Sequence, residues 1–435
     1  MAGPAELFPV KILFWAPYIN PGGGLKLIGS LVGALARADG VTSIRLVHPG
    51  SVDPSPWFPD RSSGRVEFWP LEDPSVYNRI IGRIAGIPFT TRLRREWMRR
   101  NRKPADAGEY LQFQFEEASR GCDIAYNPWP HNHHQFGLLP KGSIPWVVTI
   151  QDFLALDFPW DPALSVREYS NLQDVVTHAA HVVLSSQASQ DALRRHFPEA
   201  QCPTSIIHHA VLPISTRVAR APGPADNRYF LAATNIVPHK NLELLLLAWS
   251  RWARAAEFPL VVMGHLTDAI RPLHYPALPA NSWIRLVTLQ ALVSRLGNLI
   301  PDRVRLLGYV PEAEASRLMS GATALVMPSL GEGGGSYPVE EALHAGVPVL
   351  CSDIPVMREH ASRRTAPITW FDPDSVDSLV RALDRFVEDE PALRSATVVA
   401  ADDPRPSWEE IGNAYAAVLR RTLQDSQASP TSPTR

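Results

Sequence analysis

Residues 11–16 read Lys11-Ile12-Leu13-Phe14-Trp15-Ala16 and run into Pro17 and a loop that ends in Gly22-Gly23-Gly24. A short apolar run bounded by proline and glycine fits a strand buried on both faces, as in a parallel sheet. Ile28, Leu31, Val32 and Leu35 then recur at helical spacing, and Gly40 stops the pattern. Residues 44–48 read as a second strand. Strand, glycine loop, helix, strand is the opening of a doubly wound α/β domain. Apolar runs at 123–126, 146–150, 181–184 and 204–207 extend it.

Residues 215–228 (STRVARAPGPADNR) lack apolar periodicity and read as a linker, after which the same pattern restarts. Strands are predicted at 229–233, 260–263, 304–307, 323–327 and 347–350, and helices over 241–252, from Pro311 and from Pro338 to Gly346. The expected architecture is α/β, with two doubly wound domains of similar size: 1–214 and 229–405. Residues 406–424 supply an amphipathic helix, centred on 408–423 and packing back toward the first domain, and 425–435 a disordered tail.

Forty-two basic residues against 44 acidic ones, a formal charge of −2, leave no global pull toward nucleic acid. Only five of the cations are lysines, so each is conspicuous. Cys122, Cys202 and Cys351 are too few and too scattered for a disulfide framework or a zinc site. No apolar stretch reaches spanning length and the start lacks a basic, signal-like segment, so a cytoplasmic location is expected. The near-neutral total hides one exception. Residues 79–103 hold nine basic residues and one acid, a local +8, interleaved with Ile80, Ile84, Phe89 and Trp97. Such a segment suits either a peripheral contact with the anionic inner face of a membrane or an anionic acceptor.

Two segments carry candidate chemistry. Pro328 to Gly346 reads PSLGEGGGSYPVEEALHAG: a strand end, a glycine-rich loop, then a helix begun by Pro338. Free N–H groups at such a start, with the helix dipole, suit a phosphate, and glycines permit close backbone approach. Glu332, Glu340 and Glu341 beside it are better suited to accept hydrogen bonds from sugar hydroxyls. The pairing points to a nucleotide or a sugar nucleotide. In Tyr229 to Asn241, Lys240 sits where a helix dipole penalises a cation and a bound diphosphate would offset the penalty.

In order and spacing these segments, ATNIVPHKN and PSLGEGGGSYPVEEALHAG with LLGYVPEAEASRLMSGATALVMPS between them, resemble a glycosyltransferase of the GT-B fold, family 4 type. Ser352-Asp353-Ile354-Pro355, Ser407-Trp408-Glu409-Glu410 and Val148-Thr149-Ile150-Gln151-Asp152 are also similar to family members. The resemblance implies two Rossmann-like domains facing across a cleft, a nucleoside-diphosphate sugar as co-substrate, no further cofactor and no metal. It implies transfer with retention, in polysaccharide assembly, to a glycan or lipid-linked acceptor.

By the same resemblance, Glu341 holds the ribose hydroxyls, with Glu340 at the family's usual offset as the alternative, and Glu332 lies near the transferred sugar. Gly334, Gly335, Ser336 and Tyr337 present backbone N–H groups, and Lys240 stabilises the departing diphosphate. Gly308, Tyr309 and Val310 hold the base, Gly22, Gly23 and Gly24 close on the donor, and Asp152 belongs to the first-domain strand-end motif.

Three departures stand out. Asn235 replaces an arginine, Gln151 replaces a histidine, and the two motif glutamates, Glu332 and Glu341, lie nine apart. Asn235 and Gln151 keep open a catalytically silent sugar-nucleotide-binding protein or scaffold of this fold; a GT-B sugar-nucleotide epimerase is a further alternative. Residues 127–134 (NPWPHNHH) do not have a usual zinc spacing. They read as a polar loop at a strand end, with His131, ahead of His133, contacting the donor sugar as family members do.

Overall fold

The computed structural model describes residues 8–17, 23–54, 64–71, 107–130, 140–208, 228–270, 284–297 and 303–428. Gly22, the basic segment 79–103, His131 and His133, and the linker up to residue 227 lie outside the described residues. The chain divides into two compact units, Met1–Ala210 with Pro406–Arg435, and Val211–Arg405.

The first unit is built on one parallel sheet. Its strands are β1 (Val10–Trp15), β2 (Val41–Pro49), β3 (Val66–Leu71), β4 (Ile124–Asn127), β5 (Trp146–Ile150), β6 (His181–Leu184) and β7 (Thr204–Ile206). Their order is β3-β2-β1-β4-β5-β6-β7. The helices are α1 (Gly23–Arg37), α2 (Ala107–Ser119), the single turn α3 (Leu154–Asp157), α4 (Pro162–His178) and α5 (Gln187–His196). Side chains of β1 alternate between the two faces, as a strand requires. Ile12 and Phe14 pack with Ile28, Leu31, Val32 and Leu35 of α1, whereas Leu13 and Trp15 pack with Leu111 and Phe115 of α2. Both faces are covered, which is why the run in the sequence is apolar without alternation.

The second unit repeats the plan with β8 (Phe230–Ala233), β9 (Leu260–Met263), β10 (Val304–Leu306), β11 (Ala324–Met327), β12 (Val349–Ser352) and β13 (Ile368–Phe371). The order is β10-β9-β8-β11-β12-β13, again all parallel. Its helices are α6 (Leu242–Arg251), α7 (Ile284–Leu296), α8 (Glu312–Gly321), α9 (Tyr337–His344), α10 (Pro355–Ala361) and α11 (Val376–Ala400). The core centres on Phe230, whose ring lies 5.5 to 5.9 Å from those of Trp249, Trp252, Phe258 and Phe386. Each such edge or tilted pair adds about 1 kcal/mol to the burial itself.

The last helix, α12 (Trp408–Ala428), belongs to the first unit, where it packs along α1. Gly412 permits the close approach, since a Cβ there would sit 2.7 Å from the Ala34 backbone. Buried Tyr415 reaches Thr149 Oγ1 at 3.4 Å, and that hydroxyl pairs with Tyr126 at 2.7 Å. The helix runs through residues 425–428, which the sequence reading places in the tail. Ser426 stays in register by donating to the Thr422 carbonyl at 2.8 Å.

In each unit two neighbouring strands send their connections in opposite directions: β1 and β4 in the first, β8 and β11 in the second. Open parallel sheets bind ligands outside the carboxyl ends of such a pair.

Candidate functional site

At the β8/β11 switch point of the second unit five loops are laced into one rim. Leu330 N–H donates to the His239 carbonyl at 2.7 Å, and Gly264 N–H to the Gly308 carbonyl at 2.8 Å. His265 N–H donates to Asn235 Oδ1 at 3.2 Å, and Asn241 Nδ2 to the carbonyls of Pro328 and Pro373 at 3.2 and 2.8 Å. Asn235 and Asn241 therefore spend amide groups on backbone. At Asn235, where the resemblance expects an arginine, the side chain bridges the ends of β8 and β9.

Lys240 closes a 3₁₀ turn, Pro238–Lys240, and α6 begins only after Asn241, whose φ of 52° breaks the path. The lysine is thus aimed by a separate turn rather than set within the first turn of the helix. Its Nζ lies 2.5 Å from Glu332 Oε1, and both side chains are largely covered, at 23% and 9% exposure. Burial pushes the nearby Cys351 thiol strongly up, and the Glu332 carboxylate adds to the effect. That cysteine is a core group, not a nucleophile.

Beside the pair, Gly334, Gly335 and Ser336 lead into α9. Ser336 is buried and directs its hydroxyl to Met327 Sδ at 3.6 Å, so it makes no side-chain cap. What this start of α9 offers is backbone N–H and the positive end of the dipole. Gly335 has φ 115° and presses on a ring: a Cβ there would lie 2.2 Å from His360 Nδ1.

The neighbouring glutamates diverge. Glu340 is only 1% exposed and turns inward, with His360 Nε2 at 2.9 Å, Arg364 at 2.8 Å and Arg405 at 3.2 Å. Burial alone would raise its pKa, but the hydrogen bonds from His360 and Arg364 outweigh that and hold it at about 2. Glu341 is only partly buried. No periodicity in the sequence points to His360, Arg364 or Arg405 as Glu340's partners, because they come from three separate segments.

At the end of β10, Gly308 (φ 74°) packs on Asp268, and its N–H donates to the buried Thr267 hydroxyl at 2.9 Å. Tyr309 beside it is 79% exposed and Val310 is half-buried. Gly264 (φ 145°) is equally obligatory, since a Cβ would fall 1.8 Å from the Thr234 carbonyl oxygen. In the first unit, Gly23 and Gly24 start α1 at the β1/β4 switch point. Asp152 accepts from Leu154 N–H at 3.1 Å, and buried Gln151 donates to the Pro128 carbonyl at 3.0 Å. Lys240, Glu332, Asn235, Gly308 and residues 334–337 thus share the second unit's sheet end, while the Glu340 side chain faces its interior. Among the described residues no group of three His, Cys, Asp or Glu is placed to hold a metal ion.

Residues 217–401 match the family model described as glycosyl transferases group 1. The chain is 25% identical over 254 residues to the O-antigen chain mannosyltransferase RfbU of Salmonella typhimurium, covering 58% of this chain and 64% of that relative. The alignment therefore falls short of two thirds of the relative's length. Among solved structures, sucrose-phosphate synthase from Thermosynechococcus elongatus superposes with a TM-score of 0.57 at 15% identity, over 96% of this chain and 98% of that one. Anabaena Alr3699/HepE in complex with UDP-glucose gives 0.56 at 15% identity, over 96% and 99%. Two doubly wound parallel units and the likeness to these solved structures give the chain a GT-B fold, and the match to the glycosyl transferases group 1 model, residues 217–401, lies on the unit that carries Lys240 and the glycine loop.

Proposed function

We propose that the chain is a retaining, metal-independent glycosyltransferase that moves a sugar from a nucleoside-diphosphate sugar to a glycan or lipid-linked acceptor. The observation that carries this reading is the Lys240–Glu332 pair, delivered from the two strands of the switch point to the side of an uncapped helix start. As the bond from the anomeric carbon to the diphosphate breaks, negative charge grows on the leaving oxygens. Lys240 and the N–H groups of residues 334–337 are fixed dipoles and charge beside that point, so they favour the transition state over the ground state. Glu332 sits within reach of the same place and suits the hydroxyls of the transferred sugar. Glu341 is the residue for the ribose hydroxyls, because Glu340 is already consumed by Arg364, Arg405 and His360.

The relative named as a mannosyltransferase and the neighbour bound to UDP-glucose put mannose and glucose first in a donor panel. A thermal-shift screen of UDP, GDP and ADP and their mannose and glucose conjugates, followed by donor turnover, tests the reading. Slow release of one nucleoside diphosphate supports it, and no binding to any of them sinks it. A silent sugar-nucleotide binder is the second reading, favoured by the structural use of Asn235 and Gln151. Tight binding without turnover would select it. The +8 segment 79–103 is proposed as a contact with an anionic membrane surface. Flotation with anionic vesicles at low and high salt checks this, and absence of binding at low salt rules it out.

A further inference from the structure

Glu340 stands beside the motif glutamate, yet its carboxylate is spent inside the protein on partners from three segments: α10 (His360), the turn after it (Arg364) and the end of the unit (Arg405). Arg405 also meets His344 Nδ1 at 2.7 Å, and Arg364 donates to the Pro404 carbonyl at 3.1 Å. The far end of this cluster touches the glycine loop. Arg363 Nη2, a donor only, lies 3.2 Å from His360 Nδ1, which leaves the ring proton on Nε2, facing Glu340. The imidazole therefore has Arg363 on Nδ1 and the Glu340 carboxylate 2.9 Å from Nε2, a close charged contact without hydrogen-bond alignment. Its face or edge occupies the space a side chain at Gly335 would take. Backbone at φ 115° with no Cβ has few contacts of its own to define it. A rigid ring against it supplies the missing constraint.

We infer that His360, set between Arg363 and Glu340 and packed on Gly335, is a positioning residue that sets the backbone of Gly334 to Tyr337 for the donor's phosphates. The inference rests on the proposed function for its ligand, but the geometry it assigns is a property of the protein alone. It makes Glu340 a support of the donor site rather than a ligand within it. Preorganised N–H groups bind a phosphate well only if the loop does not have to be ordered at the moment of binding, and displacements near 1 Å are enough to matter.

The test compares the full-length chain with His360→Ala, His360→Phe and a control, Phe386→Leu, which weakens the second unit's core away from the loop. Two readouts are taken: amide hydrogen exchange at residues 333–337 and calorimetric binding of UDP and GDP. His360→Ala should speed exchange at 333–337 and weaken binding of the preferred nucleotide about tenfold. His360→Phe, which keeps a ring against Gly335 but loses the contacts to Arg363 and Glu340, should recover only part of both, and Phe386→Leu should change neither at temperatures where it is folded. Unchanged exchange at 333–337 in His360→Ala overturns the inference whatever the nucleotide results. Faster exchange with unchanged binding overturns its link to the donor. Failure of the unmodified chain to bind either nucleotide, with the exchange effect present, counts instead against the proposed function.

Discussion

Lys240 Nζ and Glu332 Oε1 lie 2.5 Å apart, although their residues are separated by 91 intervening positions and come from loops after different strands. The pair is mostly covered, so each group is held where the other needs it. On the proposed function, a diphosphate reaching Lys240 would share the cation with Glu332 rather than meet it bare.

Replacing the lysine separates chemistry from folding. Lys240→Ala should cut donor turnover by about 100-fold or more, the usual loss when one charge-stabilising donor is removed. Stability should fall by about 2 to 3 kcal/mol, because the mostly covered Glu332 carboxylate loses its cation while no large apolar volume is lost. Steady-state transfer together with urea denaturation checks both, and near-normal turnover would remove Lys240 from the mechanism.

Acid should act on Glu340. Its folded pKa of about 2 lies below the ordinary 4.5, so the ionised form is favoured by folding. Its contribution, about 3 kcal/mol, is fully present above pH 4.5 and is lost as pH falls toward 2. Denaturation between pH 2.5 and 7 should show that slope, and Glu340→Gln should flatten it. At pH 7 the same variant should lose about 3 to 5 kcal/mol, because Arg364 and Arg405 are left facing a neutral group.

The first unit gives an independent test. Gly412→Leu places a side chain where Cβ alone would meet Ala34 backbone at 2.7 Å. The variant should destabilise the first unit by about 1 to 3 kcal/mol through separation of α12 from α1. Affinity for nucleotides, which we assign to the second unit, should be unchanged. Calorimetric unfolding with parallel binding distinguishes the two effects.

Gly264→Ala should be worse than an ordinary loop substitution. The backbone is at φ 145° and the new methyl would collide with the Thr234 carbonyl, which cannot move without breaking the Thr234 N–H bond to the Met263 carbonyl at 2.8 Å. A loss of about 2 kcal/mol or more is expected. Asn235 and Gly308, both tied to this loop, should shift with it, which chemical-shift changes would reveal.

How legible all this is from residues differs by scale. Lys11 to Ala16 and Tyr229 to Ala233 announce buried strands because both faces of a parallel sheet are covered, and that demand is written locally as unbroken apolar runs. Strand β3 (Val66–Leu71) and the long helix α11 are not legible in the sequence: the first is partly exposed and mixed in character, the second carries Pro391 and many charges. Composition alone places residues 425–428 in a tail, whereas helix continuity is decided by hydrogen bonds to the preceding turn.

Type and order of elements, the two glycine loops, and the singular Lys240 follow from the chain's own pattern, since periodicity and backbone freedom are properties of neighbouring residues. Which of two adjacent glutamates faces a ligand does not. Glu340 and Glu341 have the same chemistry, and a helix turns them about 100° apart. Only the arrival of His360, Arg364 and Arg405 turns the first into a buried anchor, whereas the second stays half-buried.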